Sequence, residues 1–324
     1  MNRRDALLAL AALATPLAGL AQSGRVPRVG YLFSFPRAEG EHLWQACRAG
    51  LRELGYVEGK NIVVEPRFAD GDYKRLPALV QELLALKVDV LVAAATPPAR
   101  AAMAATKTTP IVFVAVGEPI AVGLVKSMAR PGGNITGLSL LTSELSGRRL
   151  KLLVDCVGSA QTVVVIKNPA NRVHDTFLAE SRAAAAALGL QLAALDAGTV
   201  EDIERAFQAA RAMKVDAAIV FDDPVLWSHR KRFVALAQSS RLPVMYGYRE
   251  FVDEGGLISL GPDRIDHYRR SAVYVDRILK GANPADLPIE QPVKFQLVIN
   301  VKSAMALGLS VPQRLLLAAD EVIQ

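Results

Sequence analysis

Cysteine, histidine and aromatic residues are scarce in this 324-residue chain, and each shortage removes a class of chemistry. The two cysteines, Cys47 and Cys156, and the four histidines, His42, His174, His229 and His267, lie apart and show no metal-ligand spacing. There is no Gly-x-Ser-x-Gly elbow. The Gly132-Gly133 turn lacks the Lys-Ser/Thr of a phosphate loop, and Gly117-Glu118-Pro119 is no dinucleotide fingerprint. No nucleophile–base pair stands out, so a non-enzyme with neither metal nor cofactor is expected. Long basic runs are missing as well. The net charge is +6, but the longest basic stretch is His229-Arg230-Lys231-Arg232, which reads as a solvated helix face. No nucleic-acid partner is expected. Beyond residue 21 no apolar run is long enough to span a bilayer.

What is present begins with residues 1–21. Arg3 and Arg4 precede an apolar centre at 6–14, and small residues stand at Gly19 and Ala21, the pattern of an export signal cleaved after Ala21. The Arg3-Arg4 pair leaves both the general and the twin-arginine routes open. Leu20 stands where a lipidation cysteine would be, so the expectation is a soluble, exported, periplasmic protein without a lipid anchor. A Cys47–Cys156 disulfide has to be weighed in that compartment. The two fall on separate amphipathic helices in different halves of the chain, which favours two buried free thiols.

The remaining chain says the same thing twice. Lys87-Val88-Asp89 opens an apolar run that ends at Thr96-Pro97, and Lys214-Val215-Asp216 opens one that ends at Asp222-Asp223-Pro224. After a helix-period stretch each is followed by another apolar run, at 111–116 and at 242–246. Continuous apolar runs alternating with helical segments are what parallel strands covered on both faces look like. The fold class expected is α/β, with two doubly wound Rossmann-like lobes joined by a multi-crossover hinge. Lobe 1 is read as 27–140 plus 263–291 and lobe 2 as 141–262 plus 292–324, with the hinge near 140–141, 261–263 and 292–294. Thr96 is expected to cap the helix that follows it.

Four segments carry a family resemblance: Gly55-Tyr56-Val57-Glu58-Gly59-Lys60-Asn61; Arg130-Pro131-Gly132-Gly133-Asn134-Ile135-Thr136-Gly137; Arg249-Glu250-Phe251 with Gly255-Gly256-Leu257; and the run from Pro284 to Asn300. With these the chain resembles the ABC transporter substrate-binding proteins of the tryptophan/tyrosine-binding type, which have the type I periplasmic binding fold. Glu118 departs from the Asp more usual in that family. The resemblance implies a receptor that delivers a small ligand to an ABC permease of the inner membrane by hinge closure, acting as a monomer. A sensor presenting its ligand to a membrane receptor and, further off, a secreted enzyme are the alternatives. An aromatic or branched-chain amino acid leads among the ligands.

Open parallel sheets bind ligands beyond the carboxyl ends of their strands. The candidates are therefore Phe33, Ser34 and Phe35 after the first strand, Thr96 and Pro97 after the third, and Glu118 after the fourth. In the second half they are Asn168 and Asn171, Asp222 and Asp223, and Tyr246 and Tyr248. Thr96 and free backbone N–H groups suit a carboxylate, or Thr96 only caps its helix. Glu118 faces an ammonium, or is a solvated loop acid. One of Asp222 and Asp223 points into the cleft and the other serves as a turn or cap. Strand alternation places each aromatic pair on one face, either clamping the ligand or packing under helices. Trp227 reads as a packing residue.

Overall fold

A computed structural model of the protein describes residues 25–140, 142–292 and 294–324; the export segment expected at 1–21 lies outside them. The first sheet contains β1 (Arg28–Phe33), β2 (Val63–Phe68), β3 (Val90–Ala94), β4 (Ile111–Val116) and β5 (Ile135–Ser139) in the order β2-β1-β3-β4-β5, all parallel. Helices α1 (Arg37–Glu53), α2 (Leu76–Ala85) and α3 (Thr96–Ala105) connect them. In β3 and β4 every residue is buried, as sheets covered on both faces require.

After β5 the chain leaves for a second sheet. It enters through α4 (Thr142–Val157) and builds β6 (Thr162–Lys167), α5 (Val173–Ala187), β7 (Gln191–Asp196), α6 (Val200–Ala212) and β8 (Ala217–Val220). Helices α7 (Pro224–Ser228) and α8 (Arg230–Ser239), β9 (Val244–Tyr246), α9 (Arg249–Asp253) and β10 (Ile258–Pro262) follow. The chain then returns as α10 (Arg264–Leu279), which packs along α1 and beneath β3 and β4. A third passage runs beside β5, where Ser139 N–H donates to the Glu290 carbonyl at 2.8 Å. It ends in β11 (Phe295–Asn300), α11 (Val301–Ala306), α12 (Gln313–Ala318) and β12 (Glu321–Ile323). The second sheet has the order β12-β11-β10-β9-β8-β6-β7, and β10–β11 is its antiparallel pair.

The two Lys-Val-Asp triplets do the same job in each sheet. Lys87 (φ 54°) and Lys214 (φ 53°) both take the left-handed conformation at the turn before the strand. Asp89 then accepts from Arg28 N–H at 2.7 Å, and Asp216 accepts from Gln161 and Thr162 N–H at 2.8 Å. Each carboxylate thus ties its strand to the start of the neighbouring one, at equivalent places in the two lobes.

One expectation is corrected, and two short elements stand beside it. The cap of α3 is Ala95 and not Thr96, which is the first helical residue; no side chain caps that end. The segment 224–228 is a short helix of its own. The tail adds an edge strand, β12, parallel to β11. Cys47 on α1 and Cys156 on α4 are buried free thiols, and burial pushes both up, Cys47 to about 12 and Cys156 to about 11. No helix among the described residues is long and apolar enough to cross a membrane.

Candidate ligand-binding site

The exits of β3, β4, β6 and β8 converge on one cavity between the sheets. Ala95, Thr96, Ala115, Gly117 and Leu140 line it from the first lobe, and Asn171, Val173, Phe177, Asp222, Pro224 and Tyr248 from the second. Its volume is about 10 Å³. That space admits a single water at most.

The first-lobe wall is strained backbone. Ala95 sits at φ 86°, ψ 171°, a region essentially confined to glycine, and Ala115 at φ 58°. Ala115 is also where the β4–β5 register slips, between Val114 and Val116. The two irregularities bring methyl groups and main chain to the cavity in place of larger side chains. They also present the N-terminal end of α3 with its positive dipole; Pro97 and Pro98 carry no N–H and Ala99 N–H donates to the Ala95 carbonyl, so Thr96 alone brings donors there, against the several free N–H groups expected.

The second-lobe wall is acidic and anchored. Asp222 Oδ2 accepts from Arg149 Nη2 at 2.9 Å, and the side chains are 2% and 3% exposed. Arg149 Nε also donates to the Leu260 carbonyl at 2.8 Å. A Cβ on Gly247 would overlap Asp222 Oδ1, and one on Gly261 would overlap the Gly247 carbonyl, so glycine is required at both places for the pair to form. Asp222 Oδ1 and Asn171 Oδ1 are buried acceptors with no hydrogen-bond partner. Asp223 differs: its two oxygens take Asn168 Nδ2, Asn171 Nδ2, Val225 N–H and Leu226 N–H of its own lobe, and the Tyr73 hydroxyl of the other at 2.8 Å. Burial, then the charge of Asp223, pushes the Tyr73 hydroxyl well above its ordinary range, which keeps it a donor. Beneath both aspartates lies His174. Its Nδ1 accepts from Asn168 N–H at 3.0 Å, which leaves Nε2 to donate to the Asp222 carbonyl at 3.1 Å.

Around the cavity the lobes touch each other. Phe35 meets Trp227 edge-on with centroids 5.3 Å apart, and Trp227 is fully buried. Arg264 lies over the rings of Trp227 (4.3 Å) and Tyr248 (4.2 Å) and pairs with Glu250 at 2.9 Å. Burial works to raise the Glu250 carboxyl, but Arg264 and His42 outweigh it and hold the group at about 2. Arg230 pairs with Glu39 at 2.7 Å across the rim.

Of the residues singled out from sequence, Thr96, Asn171, Asp222 and Tyr248 come together on the cavity wall. The others stand off it. Phe33 is stacked between Phe68 and Tyr268 in the first-lobe core, and Phe35 packs on Trp227. Ser34 is buried at the β1 exit, and Pro97 forms the first turn of α3. Gly117 lines the cavity where Glu118 does not, and Asn168 and Asp223 bond each other. Tyr246 stacks on Phe251 at 4.4 Å, away from the cleft. The shared face expected for Tyr246 and Tyr248 is thus overturned: β9 stops at Tyr246, and the turn at Gly247 ends the alternation. Arg149, Tyr73, Ala95 and Ala115 were not visible beforehand. Their positions depend on partners or dihedrals that no local pattern announces.

Two parallel-stranded lobes closing on a polar cavity, with the chain passing between them three times, define a two-lobed receptor of the periplasmic binding protein fold. A family model described as ABC transporter substrate binding protein matches residues 41–323, and the chain belongs to that family. It is 26% identical over 260 residues to a tyrosine-binding protein of Clostridioides difficile, covering 80% of this chain and 74% of that one. Among solved structures, a conserved domain protein of Vibrio cholerae is 30% identical with a TM-score of 0.87, over 92% of this chain and 100% of its own. An ABC domain from Streptococcus pneumoniae in complex with L-Trp is 27% identical with a TM-score of 0.84, over 92% and 99%.

Proposed function

We propose that this protein binds an α-amino acid with an aromatic or branched side chain in the interlobe cavity and delivers it to the permease of an ABC importer. The observation that carries the ligand class is the polarity of the two walls. Asp222 Oδ1 and Asn171 Oδ1, buried and unpartnered, share the cavity with Thr96, whose N–H and hydroxyl are the donors at the positive end of α3. Acceptors on one lobe and donors on the other suit the ammonium and carboxylate of a zwitterion. Phe177, Tyr248 and Leu140 leave an apolar sector for its side chain. The relatives that carry tyrosine or tryptophan in their descriptions favour the aromatic members.

Delivery follows from closure. Separating the lobes breaks Tyr73–Asp223, Glu39–Arg230 and Phe35–Trp227, and a ligand gripped by both walls stabilises the arrangement in which these contacts form. The three passages near 140, 263 and 292 are the proposed hinge, and export to the periplasm follows from residues 1–21. Glu118 is kept as an outer contact that moves inward with the ligand in place.

Calorimetric titration with L-tryptophan, L-tyrosine and L-leucine, set beside indole-3-propionate and tryptamine, tests the reading. Each truncated analogue lacks one charged group and should bind about 10–100-fold more weakly, the scale of a hydrogen bond to a charge. Indole-3-propionate binding as tightly as tryptophan would remove the ammonium from the reading. If no amino acid binds, the ligand class itself is wrong.

A further inference from the structure

We propose that the second lobe carries another small-molecule site, separate from the cleft, which takes a compact apolar carboxylate. A cavity of about 440 Å³ opens between α8, β9 and the β11–α11 junction. That volume falls in the range of small-molecule sites. Val234, Ala237, Leu242, Val244, Leu257 and Leu307 make most of its wall apolar.

One charged group in it is unused. Tyr246 stands behind the wall, fully buried, its hydroxyl without a hydrogen-bond partner and out of reach from the cavity. Its ring is stacked on Phe251, and a Cβ on Gly256 would stand 2.8 Å from Tyr246 Cε2, so ring and main chain are in close contact there. Lys302, at the mouth, forms no ion pair or hydrogen bond with any described residue, and no acidic side chain lines the cavity. The remaining polar side chains are engaged in part. Gln238 Nε2 and Ser303 Oγ both donate to the Gly255 carbonyl, at 3.1 and 2.8 Å, and Asn300 Oδ1 accepts from Ser303 N–H at 2.9 Å.

What is left for a ligand is an aliphatic wall, the Lys302 ammonium and the Asn300 Nδ2 donors. That set matches an aromatic or branched acid without an amino group. It is the reverse of the cleft, whose buried acid asks for a cation. The inference does not rest on the cleft reading, because no wall residue is shared.

Phenylacetate is the probe, titrated calorimetrically into the native protein and three variants whose folding is checked by circular dichroism. Ala306 lies exposed on α11 at the cavity wall, so Ala306→Trp fills the space without touching the core. The expected result is saturable binding to native protein, weakened at least about tenfold by Ala306→Trp and by Lys302→Glu, and unchanged by Thr96→Val in the cleft. Three results would overturn the proposal: no saturable binding to native protein, binding that survives either cavity variant, or binding that Thr96→Val removes. L-Tryptophan affinity, measured on the same samples, reports the cleft separately.

Discussion

After β3 the chain turns at Ala95 into a helix of 10 residues; after β8 it turns through Asp222 and Asp223 into one of 5. The two exits are topologically equivalent, and the strand starts behind them are tied by the same Lys-Val-Asp device. At the cavity they part ways. The first lobe offers strained main chain, small side chains and the start of a helix, where Thr96 is the donor and no side chain caps it. The second offers a carboxylate whose charge is met by Arg149 and a neighbouring one saturated by five hydrogen bonds. Scaffold chemistry is duplicated at the far ends of the strands, and ligand chemistry diverges at the near ends. The proposed closure on a zwitterion needs that asymmetry, since two identical walls would match only one of its charges.

The comparison breaks most severely at Arg149. Arg149→Ala leaves Asp222 a buried, uncompensated charge, and urea unfolding should show a loss of about 3–5 kcal/mol. The double variant Arg149→Met, Asp222→Leu removes both charges and should recover much of that stability; failure to recover would mean that Arg149 acts through packing. Asp223→Ala comes next. It removes the cap of α7 and the acceptor for Tyr73, Asn168 and Asn171, at about 2 kcal/mol. Thr96→Val, at the equivalent uncapped exit, should cost under about 0.5 kcal/mol. Equal losses in these two variants would contradict the difference drawn between the exits.

How far this was readable from sequence depends on what decides each feature. The strands at 111–116, 162–167 and 244–246 stand where continuous apolar runs put them, because burial on both faces is written into composition. β12 and α7, three and five residues long, are too short to show any period. Thr96, Asn171, Asp222 and Tyr248, which line the cavity, were singled out by position alone, as polar groups just past strand ends. The strain at Ala95 and Ala115 was not, since nothing in an alanine announces a positive φ. Arg149 follows Arg148 on an amphipathic helix, and only a carboxylate 73 residues away distinguishes the buried one. Tyr246 misled because alternation was carried past the point where β9 ends.

His174 sharpens the comparison from underneath, because it joins the Asn168 and Asp222 loops and has no counterpart in the first lobe. Burial lowers its pKa from the ordinary 6.5, against the opposing pull of Asp223 and Asp222. The folded state therefore holds a neutral ring while the unfolded chain takes up a proton below about pH 6.5. Stability is fully present above that value and falls on acidification, by up to about 1.4 kcal/mol per pH unit. Burial lowers His229 and His267 as well, so the native curve contains three histidine contributions. The difference in slope between native protein and His174→Gln, between roughly pH 6.5 and 5, isolates one of them. No difference in slope would place His174 outside the linkage.

The smallest effect is expected at the rim, where the lobes meet in partly solvated contact. Arg230 is 12% exposed and Glu39 35%, so their pair gains little from a low dielectric and is screened by salt. Arg230→Ala should leave global stability within about 1 kcal/mol of native. Under the proposed closure it acts instead on the balance between separated and closed lobes, where about 1 kcal/mol is close to a fivefold change in population. Amino-acid affinity should drop by no more than about that factor, and the deficit should shrink as salt is raised and the native pair is screened. Small-angle scattering of the ligand-free variant should show a larger mean radius than native. A deficit that salt leaves untouched would trace the effect to the Arg230–Trp227 stacking at 4.9 Å, and the rim would then act through packing like the floor beneath it.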